Sequence, residues 1–276
     1  MTQAILAHLS RADAVLAGLI RAVGPCTLAP PEDCHPFQVL ARAIAHQQLN
    51  GTAANTILGR LVEGCGQGAF PTPQKVLEAS IESLRAAGFS FAKIAALKDL
   101  AARTLDSRVP DGATLAQLPD EEIIARLTEV RGIGRWTVEM LLMFQLGRPD
   151  VLPVDDFGVR AGFRAAYGLR RMPRPKALAA YGERWKPYRT TAAWYLWRAV
   201  ELKRAGRLPA PAERIRLPRL TKQRGAAREA GAVRARKTAR KIRRAAASSA
   251  RPRRSGGRTR SHRPRARRSP APASKR

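Results

Sequence analysis

Cysteine is scarce in this sequence: a chain of 276 residues has three, Cys26, Cys34 and Cys65. No two of them form a Cys-X-X-Cys pair, so the spacing predicts neither a disulfide framework nor a zinc or iron–sulfur site. We therefore expect no bound metal and no cofactor. This use of cysteine is typical of proteins from a reducing intracellular compartment.

Long apolar runs are absent as well. The sequence has no stretch of about 18 consecutive apolar residues, the length that a membrane-spanning helix requires. Its apolar N-terminus is interrupted by His8, Arg11 and Asp13 and has no basic leader, which does not match a secretory signal peptide. We expect a monomer without a membrane partner, in the bacterial cytoplasm and nucleoid or, in a eukaryote, in the nucleus.

Acidic residues are few relative to basic ones. Asp and Glu total 21 against 51 Lys and Arg, which gives a formal net charge of +30. An excess of this size favours a nucleic acid or another anionic partner. Most of the excess lies at the C-terminus, because residues 212–276 hold 24 basic and two acidic side chains.

The C-terminal segment 212–276 has no aromatic residue and is rich in Arg, Pro, Ser and Gly. Such a composition buries too little apolar surface to offset the entropy of ordering the chain. We predict a disordered basic tail after a folded domain of residues 1–211. The tail either binds nucleic acid through its phosphates, without sequence preference, or serves as a solvated solubility segment.

Apolar residues recur at helical spacing along the folded domain, as at Phe37, Leu40, Ala41 and Ile44. No segment alternates apolar and polar residues convincingly, as a strand would, and no internal repeat is evident. Helix starts and one helix stop are marked by typical residues: Asn50, Ser90, Pro119 and Gly206. The pattern predicts an all-α domain of roughly ten helices.

A glycine-rich turn lies between two of the predicted helices. Gly132, Ile133 and Gly134 follow one helix, and the next helix begins near Arg135. Two glycines at this spacing let the backbone turn tightly and approach a ligand, and the amides that open the second helix favour an anion. The turn is either a phosphate-binding hairpin or an ordinary connection between helices.

A pair of acids follows the second of these helices, in the loop Val-Leu-Pro-Val-Asp-Asp-Phe-Gly-Val. Asp155 and Asp156 stand at a predicted helix start, where a single acid usually serves as an N-cap. Two adjacent acids suggest that one caps the helix while the other faces a cleft. The residues alone do not separate the two roles.

Four motifs together resemble the helix–hairpin–helix DNA glycosylase superfamily, specifically its 3-methyladenine DNA glycosylase II branch. They are FQVLARAIAHQQL at 37–49, GIGRWT at 132–137, LPVDDFGVR at 152–160 and YGERWKPYRTTAAWYLW at 181–197. The resemblance covers about residues 30–205. It implies a two-lobed helical fold. The sequence departs from some members in two respects: we expect no N-terminal β-rich domain, because the segment before the motifs is too short for it, and no iron–sulfur loop, because the four cysteines are missing.

The resemblance implies a role for each residue around the hairpin. Asp156 becomes the catalytic carboxylate, which stabilises positive charge on the deoxyribose and orients water. Asp155 is left as a cap or a supporting group. Trp136 stands where bifunctional relatives have a nucleophilic lysine, which implies simple hydrolysis. The hairpin residues are expected to hold a DNA phosphate: Gly132, Ile133, Gly134 and Thr137.

The resemblance also implies how the base is handled. Trp136 and Trp197 match positions that line the base pocket, where the alternative is an ordinary core position. Gln48 and Leu49 fall at the turn that wedges into the gap left by a flipped base, and the alternative is a plain helix end. The motifs do not decide between Gln48 and Leu49.

These assignments predict a monofunctional glycosylase that acts on double-stranded DNA containing damaged bases. The expected substrates are alkylated purines of the 3-methyladenine and 7-methylguanine type, and the expected product is an abasic site. The basic tail is expected to add non-specific DNA binding. Two alternatives remain: a non-enzymatic DNA-binding protein of the nucleoid type, which needs no Asp156 loop, and a bifunctional glycosylase/lyase, against which Trp136 argues.

Overall fold

The computed structural model describes residues 3–212, 215 and 217, and within them it contains thirteen α-helices and no β-strand. The first eight are α1 (Gln3–Ala12), α2 (Ala14–Val23), α3 (Pro36–His46), α4 (Gly51–Leu61), α5 (Pro73–Glu78), α6 (Ile81–Ala86), α7 (Phe91–Leu105) and α8 (Gly112–Gln117). The remaining five are α9 (Asp120–Leu127), α10 (Arg135–Phe144), α11 (Phe157–Ala166), α12 (Pro175–Gly182) and α13 (Arg189–Arg204). No helix in this part of the chain is long and apolar enough to cross a membrane.

The all-α prediction is confirmed, with more helices than the pattern indicated. A π-helical segment, Val62–Gly66, extends α4, and a 3₁₀ turn, Glu183–Trp185, follows α12. Three of the helices, α5, α6 and α8, have six residues each, which is too short for a clear apolar repeat. The predicted tail, 212–276, lies almost wholly outside the described residues.

Local capping chemistry sets the helix ends that the sequence marked. Asn50 accepts a hydrogen bond from the Ala53 amide at 2.8 Å, and the Ser90 hydroxyl caps α7 in the same way. At the end of α13, Gly206 has φ 68° and its amide donates to Lys203, while the Arg207 amide donates to the carbonyl of residue 202. This pair of bonds is a Schellman motif, which requires a left-handed residue and so favours glycine.

The helices form two lobes. Helices α3 to α10 make one lobe, in which α7 contacts α3, α5 and α6. Helices α1, α2, α11, α12 and α13 make the other, with the largest contact between α11 and α13. The chain therefore leaves the second lobe after α2 and returns to it after α10, so the loop between α10 and α11 passes from one lobe to the other.

The N-terminal helices are anchored to the second lobe by one buried aspartate. Oδ1 of Asp13 accepts the amides of Val15 and Leu16 and caps α2. Its Oδ2 accepts the Tyr167 hydroxyl at 2.5 Å and the Trp185 indole N–H at 2.9 Å. Burial, together with the Asp13 charge, raises the pKa of Tyr167 well above its usual value, so the hydroxyl stays a donor.

Helices α11 and α13 meet along a face of small residues. Gly158 and Gly162 lie one turn apart on α11, and a Cβ on Gly162 would come within 1.8 Å of the Leu196 carbonyl oxygen. A Cβ on Gly158 would come within 2.7 Å of the Trp197 ring. The lack of these two side chains lets the helices approach closely and brings Trp197 beside the first turn of α11.

Candidate active site

The hairpin between α9 and α10 has the conformation that its glycines allow. Gly132 has φ 78°, in the left-handed region, and a Cβ there would lie 3.5 Å from that of Ala96. The side chain of Ile133 is buried and holds the turn against the core. Gly134 is the N-cap of α10 and offers no side chain as a cap. The amides of Arg135 and Trp136, the first two of α10, therefore have no backbone acceptor and can bind an anion.

The cationic side chains of the hairpin have different surroundings. Arg135 is bonded to Glu121 and to the buried Glu139, whose pKa is raised by burial while Arg135 opposes the shift. The Arg131 amide donates to Asp99 at 2.8 Å, but the side chain of Arg131 is exposed. Arg131, unlike Arg135, is therefore positioned to meet a phosphate without first breaking an ion pair.

Thr137, which is predicted to help hold a DNA phosphate, is buried and does not lie on the surface of the hairpin. The Thr137 amide donates to the Gly134 carbonyl at 3.0 Å. Its side chain lines a cavity behind the hairpin. The other hairpin residues, Gly132 and Gly134, remain at the surface turn.

A cavity of about 600 Å³ lies between α3 and α10. Most of its wall is apolar or aromatic, and the residues that line it include Val39, Ala43, Gln47, Trp136, Met140 and Phe144. None of the described residues that line it is a Lys, Arg, Asp or Glu. The cavity can thus receive a flat, weakly polar ring, and it offers no amine as a nucleophile.

Asp156 stands at the edge of this region and accepts three N–H donors. Its Oδ1 accepts the Val159 amide at 2.6 Å and the Trp197 indole at 2.8 Å. Its Oδ2 accepts the Trp136 indole, also at 2.8 Å. Asp156 is itself the N-cap of α11, so of the two roles predicted for Asp155 the cap is wrong, and the supporting role stays a prediction. Asp155 is exposed at the loop surface.

The two tryptophans hold the carboxylate and differ in their relation to the cavity. Trp136 is 48% exposed and lines the cavity, and its indole N–H reaches Asp156. Trp197 is half-buried and stacks on Phe144 with 5.7 Å between ring centroids. Phe144 lines the cavity and Trp197 does not, so the prediction that Trp197 lines the base pocket does not hold for this cavity. Each indole therefore connects the carboxylate with the aromatic wall.

The turn between α3 and α4 lies at the other side of the cavity. Gln48 has φ 58°, an uncommon conformation for a residue other than glycine, and its side chain lines the cavity. Leu49, the next residue, is an apolar side chain that is 41% exposed. Both residues predicted at the wedge are thus at the surface beside the cavity.

Most of the residues described above lie in a segment that matches a known protein family. Residues 41–187 match the family model of the HhH-GPD superfamily of base excision DNA repair proteins. The chain belongs to this superfamily. The membership confirms the resemblance that the hairpin and aspartate motifs indicated.

Two curated relatives in the superfamily come from Schizosaccharomyces pombe. The chain is 43% identical to DNA-3-methyladenine glycosylase 1 over 171 residues, which are 62% of this chain and 75% of the relative. It is 35% identical to alkylbase DNA glycosidase-like protein mag2 over 200 residues, which are 72% of this chain and 94% of the relative.

Solved structures in the superfamily share the fold. The S. pombe 3-methyladenine DNA glycosylase in complex with abasic DNA is 40% identical, with a TM-score of 0.65 over 72% of this chain and 98% of that one. The DNA-3-methyladenine glycosidase of Bacillus halodurans is 35% identical, with a TM-score of 0.67 over 73% of this chain and 91% of that one.

Some residues of the site were not predicted from the sequence. Met140 and Phe144 follow Trp136 at intervals of four residues and share its face of α10, a spacing that could have placed them in the cavity wall. Gln47 also lines the cavity, and its side chain donates to the Gly132 carbonyl at 2.7 Å. No local pattern indicates that bond.

Proposed function

We propose that this chain is a monofunctional DNA glycosylase of base-excision repair. It flips alkylated purines of the 3-methyladenine and 7-methylguanine type out of duplex DNA, hydrolyses the N-glycosidic bond and leaves an abasic site. The observation that carries the proposal is the Asp156 carboxylate, held by two indole N–H groups beside an aromatic cavity. The names of the two S. pombe relatives support the alkylated substrate.

The carboxylate is suited to stabilising a sugar cation. Breaking the glycosidic bond builds positive charge on the deoxyribose, and a fixed negative charge nearby lowers the barrier. A carboxylate offers about four lone-pair positions. Three accept N–H donors here, from Trp136, Val159 and Trp197, which leaves one to orient water or face the sugar. The same three donors fix the carboxylate in place before the reaction begins.

DNA docks, in this proposal, through the hairpin and the turn after α3. The free amides at the start of α10 and the exposed Arg131 bind a phosphate of the damaged strand. The damaged base enters the cavity lined by Trp136. Either Gln48 or Leu49 fills the gap in the stack. Gln48 lines the cavity and Leu49 is exposed next to it, which is consistent with either choice.

The cavity favours cationic bases over neutral ones. A purine that is alkylated at N3 or N7 carries positive charge, and an aromatic face attracts a cation by about 0.5–2 kcal/mol. Trp136 and Phe144 supply such faces, and no Lys or Arg is among the described residues of the wall. The alkylated base is also a better leaving group, so the transition state requires less stabilisation by the protein.

A panel of duplexes, each with one lesion, tests the proposal in single-turnover experiments. We expect release of 3-methyladenine and 7-methylguanine, and much slower release of uracil and 8-oxoguanine. Borohydride should trap no covalent protein–DNA adduct during release, because Trp136 supplies no amine. Faster release of the neutral lesions would contradict the account of selectivity, and efficient trapping would contradict simple hydrolysis.

The C-terminal residues 212–276 are proposed to hold the enzyme on undamaged DNA. Each phosphate that a basic side chain neutralises releases counterions, which makes binding depend steeply on salt. Removal of the residues after 211 should flatten the plot of log affinity against log salt and weaken binding to undamaged DNA. The single-turnover rate at saturating enzyme should stay within about twofold, since the site lies in the helical lobes. An unchanged salt slope would show that the tail does not contact DNA.

We further propose that the protein acts as a monomer wherever genomic DNA lies, in the nucleoid of a bacterium or the nucleus of a eukaryote. The hairpin, the cavity and Asp156 all come from one chain. A site assembled within one chain requires no second copy for the chemistry.

A further inference from the structure

One side chain joins the turn after α3 to the DNA-binding hairpin. Gln47 is the C-cap of α3, and its Nε2 donates to the Gly132 carbonyl at 2.7 Å across 85 positions of sequence. In the described part of the chain no other hydrogen bond connects these two turns. Gln48, which follows directly, has the left-handed φ of 58°.

Helix α7 forms a hydrogen bond near each of the two turns. Lys93 donates from Nζ to the carbonyl of Ala45, at the end of α3, at 2.8 Å. Six residues later on α7, Asp99 accepts the Arg131 amide of the hairpin, also at 2.8 Å. The end of α3 and the hairpin are thus both bonded to α7, and the Gln47 bond joins the two turns directly to each other.

We infer that Gln47 is a positioning residue for base flipping: its bond to Gly132 sets the distance between the turn that fills the gap in the stack and the hairpin that holds the phosphate. The inference rests on the proposed glycosylase function and adds a role for Gln47, which has no hydrogen bond to Asp156. With the hairpin fixed on a phosphate, that distance determines where the wedge residue, Gln48 or Leu49, enters the duplex.

The inference predicts an effect that depends on base pairing. Extruding a paired base requires breaking its pair and stacking, and the intruding side chain compensates for part of that free energy. A lesion that has no partner base is easier to extrude and depends less on the intruding turn. Loss of the Gln47 bond should therefore slow release of a paired lesion more than release of an unpaired one.

The test uses the full chain and two duplexes with 7-methylguanine, one opposite cytosine and one opposite an abasic-site analogue. Gln47→Ala removes the bond, and Gln47→Glu keeps the size of the side chain but cannot donate to a carbonyl. We expect the single-turnover rate to fall about tenfold or more on the paired lesion and less than about threefold on the unpaired one. Gln38→Ala, a glutamine at the other end of α3, should change neither rate.

The outcomes separate the inference from the function on which it rests. No release by the wild-type protein from either duplex would overturn the proposed function. Release by the wild type, with an equal fall for both lesions in the Gln47 variants, would show either a general structural role or a direct contact of Gln47 with the base in the cavity, and would overturn the inference. Unchanged rates on both duplexes would overturn it too. A melting temperature close to that of the wild type, together with a pairing-dependent loss, supports it.

Discussion

Asp156→Asn should abolish base release, with a single-turnover rate reduced on the order of 10³-fold or more, because the charge that stabilises the sugar cation is lost. The shape of the side chain is kept, and its remaining oxygen can still accept the Val159 amide and the Trp197 indole. The new amide nitrogen would face the indole N–H of Trp136. Both groups are donors, so the Trp136 indole would lose its acceptor. DNA affinity should stay within a few-fold, since the hairpin is unchanged.

Asp155→Asn is the matched control for this prediction. It removes the same charge one residue earlier, from a side chain that is exposed and is not the cap of α11. We expect its rate to stay within about threefold of the wild type, because an exposed charge acts weakly through solvent. If Asp155→Asn were inactive and Asp156→Asn retained turnover, the assignment of the catalytic carboxylate would be reversed.

Gly162→Ala should strongly destabilise the protein, by about 3 kcal/mol or more, because the added methyl group has no space. A Cβ at this position would lie 1.8 Å from the carbonyl oxygen of Leu196 and 2.6 Å from its carbonyl carbon. These are backbone atoms, so no change of rotamer relieves the contact, and α11 must move away from α13. We expect the melting temperature to fall by roughly 10 °C.

The same substitution at two other helical glycines provides the control. No atom lies within 4 Å of the Cβ position at Gly18, in α2, or at Gly59, in α4. Alanine there should be neutral or stabilise by about 0.5–1 kcal/mol, because it reduces the entropy of the unfolded chain. A melting temperature of Gly162→Ala equal to that of Gly59→Ala would contradict the close approach of α11 and α13. Separation of these helices would also reduce activity, since Trp197 on α13 holds Asp156.

The turn and the helix starts around the hairpin can be predicted from the sequence, because each depends only on a few neighbouring residues. A left-handed turn needs glycine, and a helix start needs an acceptor side chain, whatever surrounds them. Gly132, Asn50 and Ser90 therefore behave as their sequence context predicts. The aspartate pair shows the limit: both residues satisfy the local rule for a cap, and the rule does not say which one turns towards α13.

The short helices α5, α6 and α8 were not anticipated, because six residues contain less than two turns and show no apolar period. In the sequence, Asp13 stands out only as an interruption of an apolar segment. In the structure it is buried and accepts bonds from Tyr167 and Trp185, which lie 154 and 172 positions away. A buried acceptor with distant donors leaves no periodic signal in the sequence.

The sequence by itself determined the helical class, the hairpin and the loop that carries Asp156, since helix periodicity, caps and glycine turns act over a few neighbouring residues. Only the tertiary structure decided that Trp136 and Trp197 donate to one carboxylate and that Gln47 bonds to the hairpin. Those contacts join residues that are 20 to 85 positions apart. They depend on how helices pack, and the packing is set by the whole core rather than by any one segment.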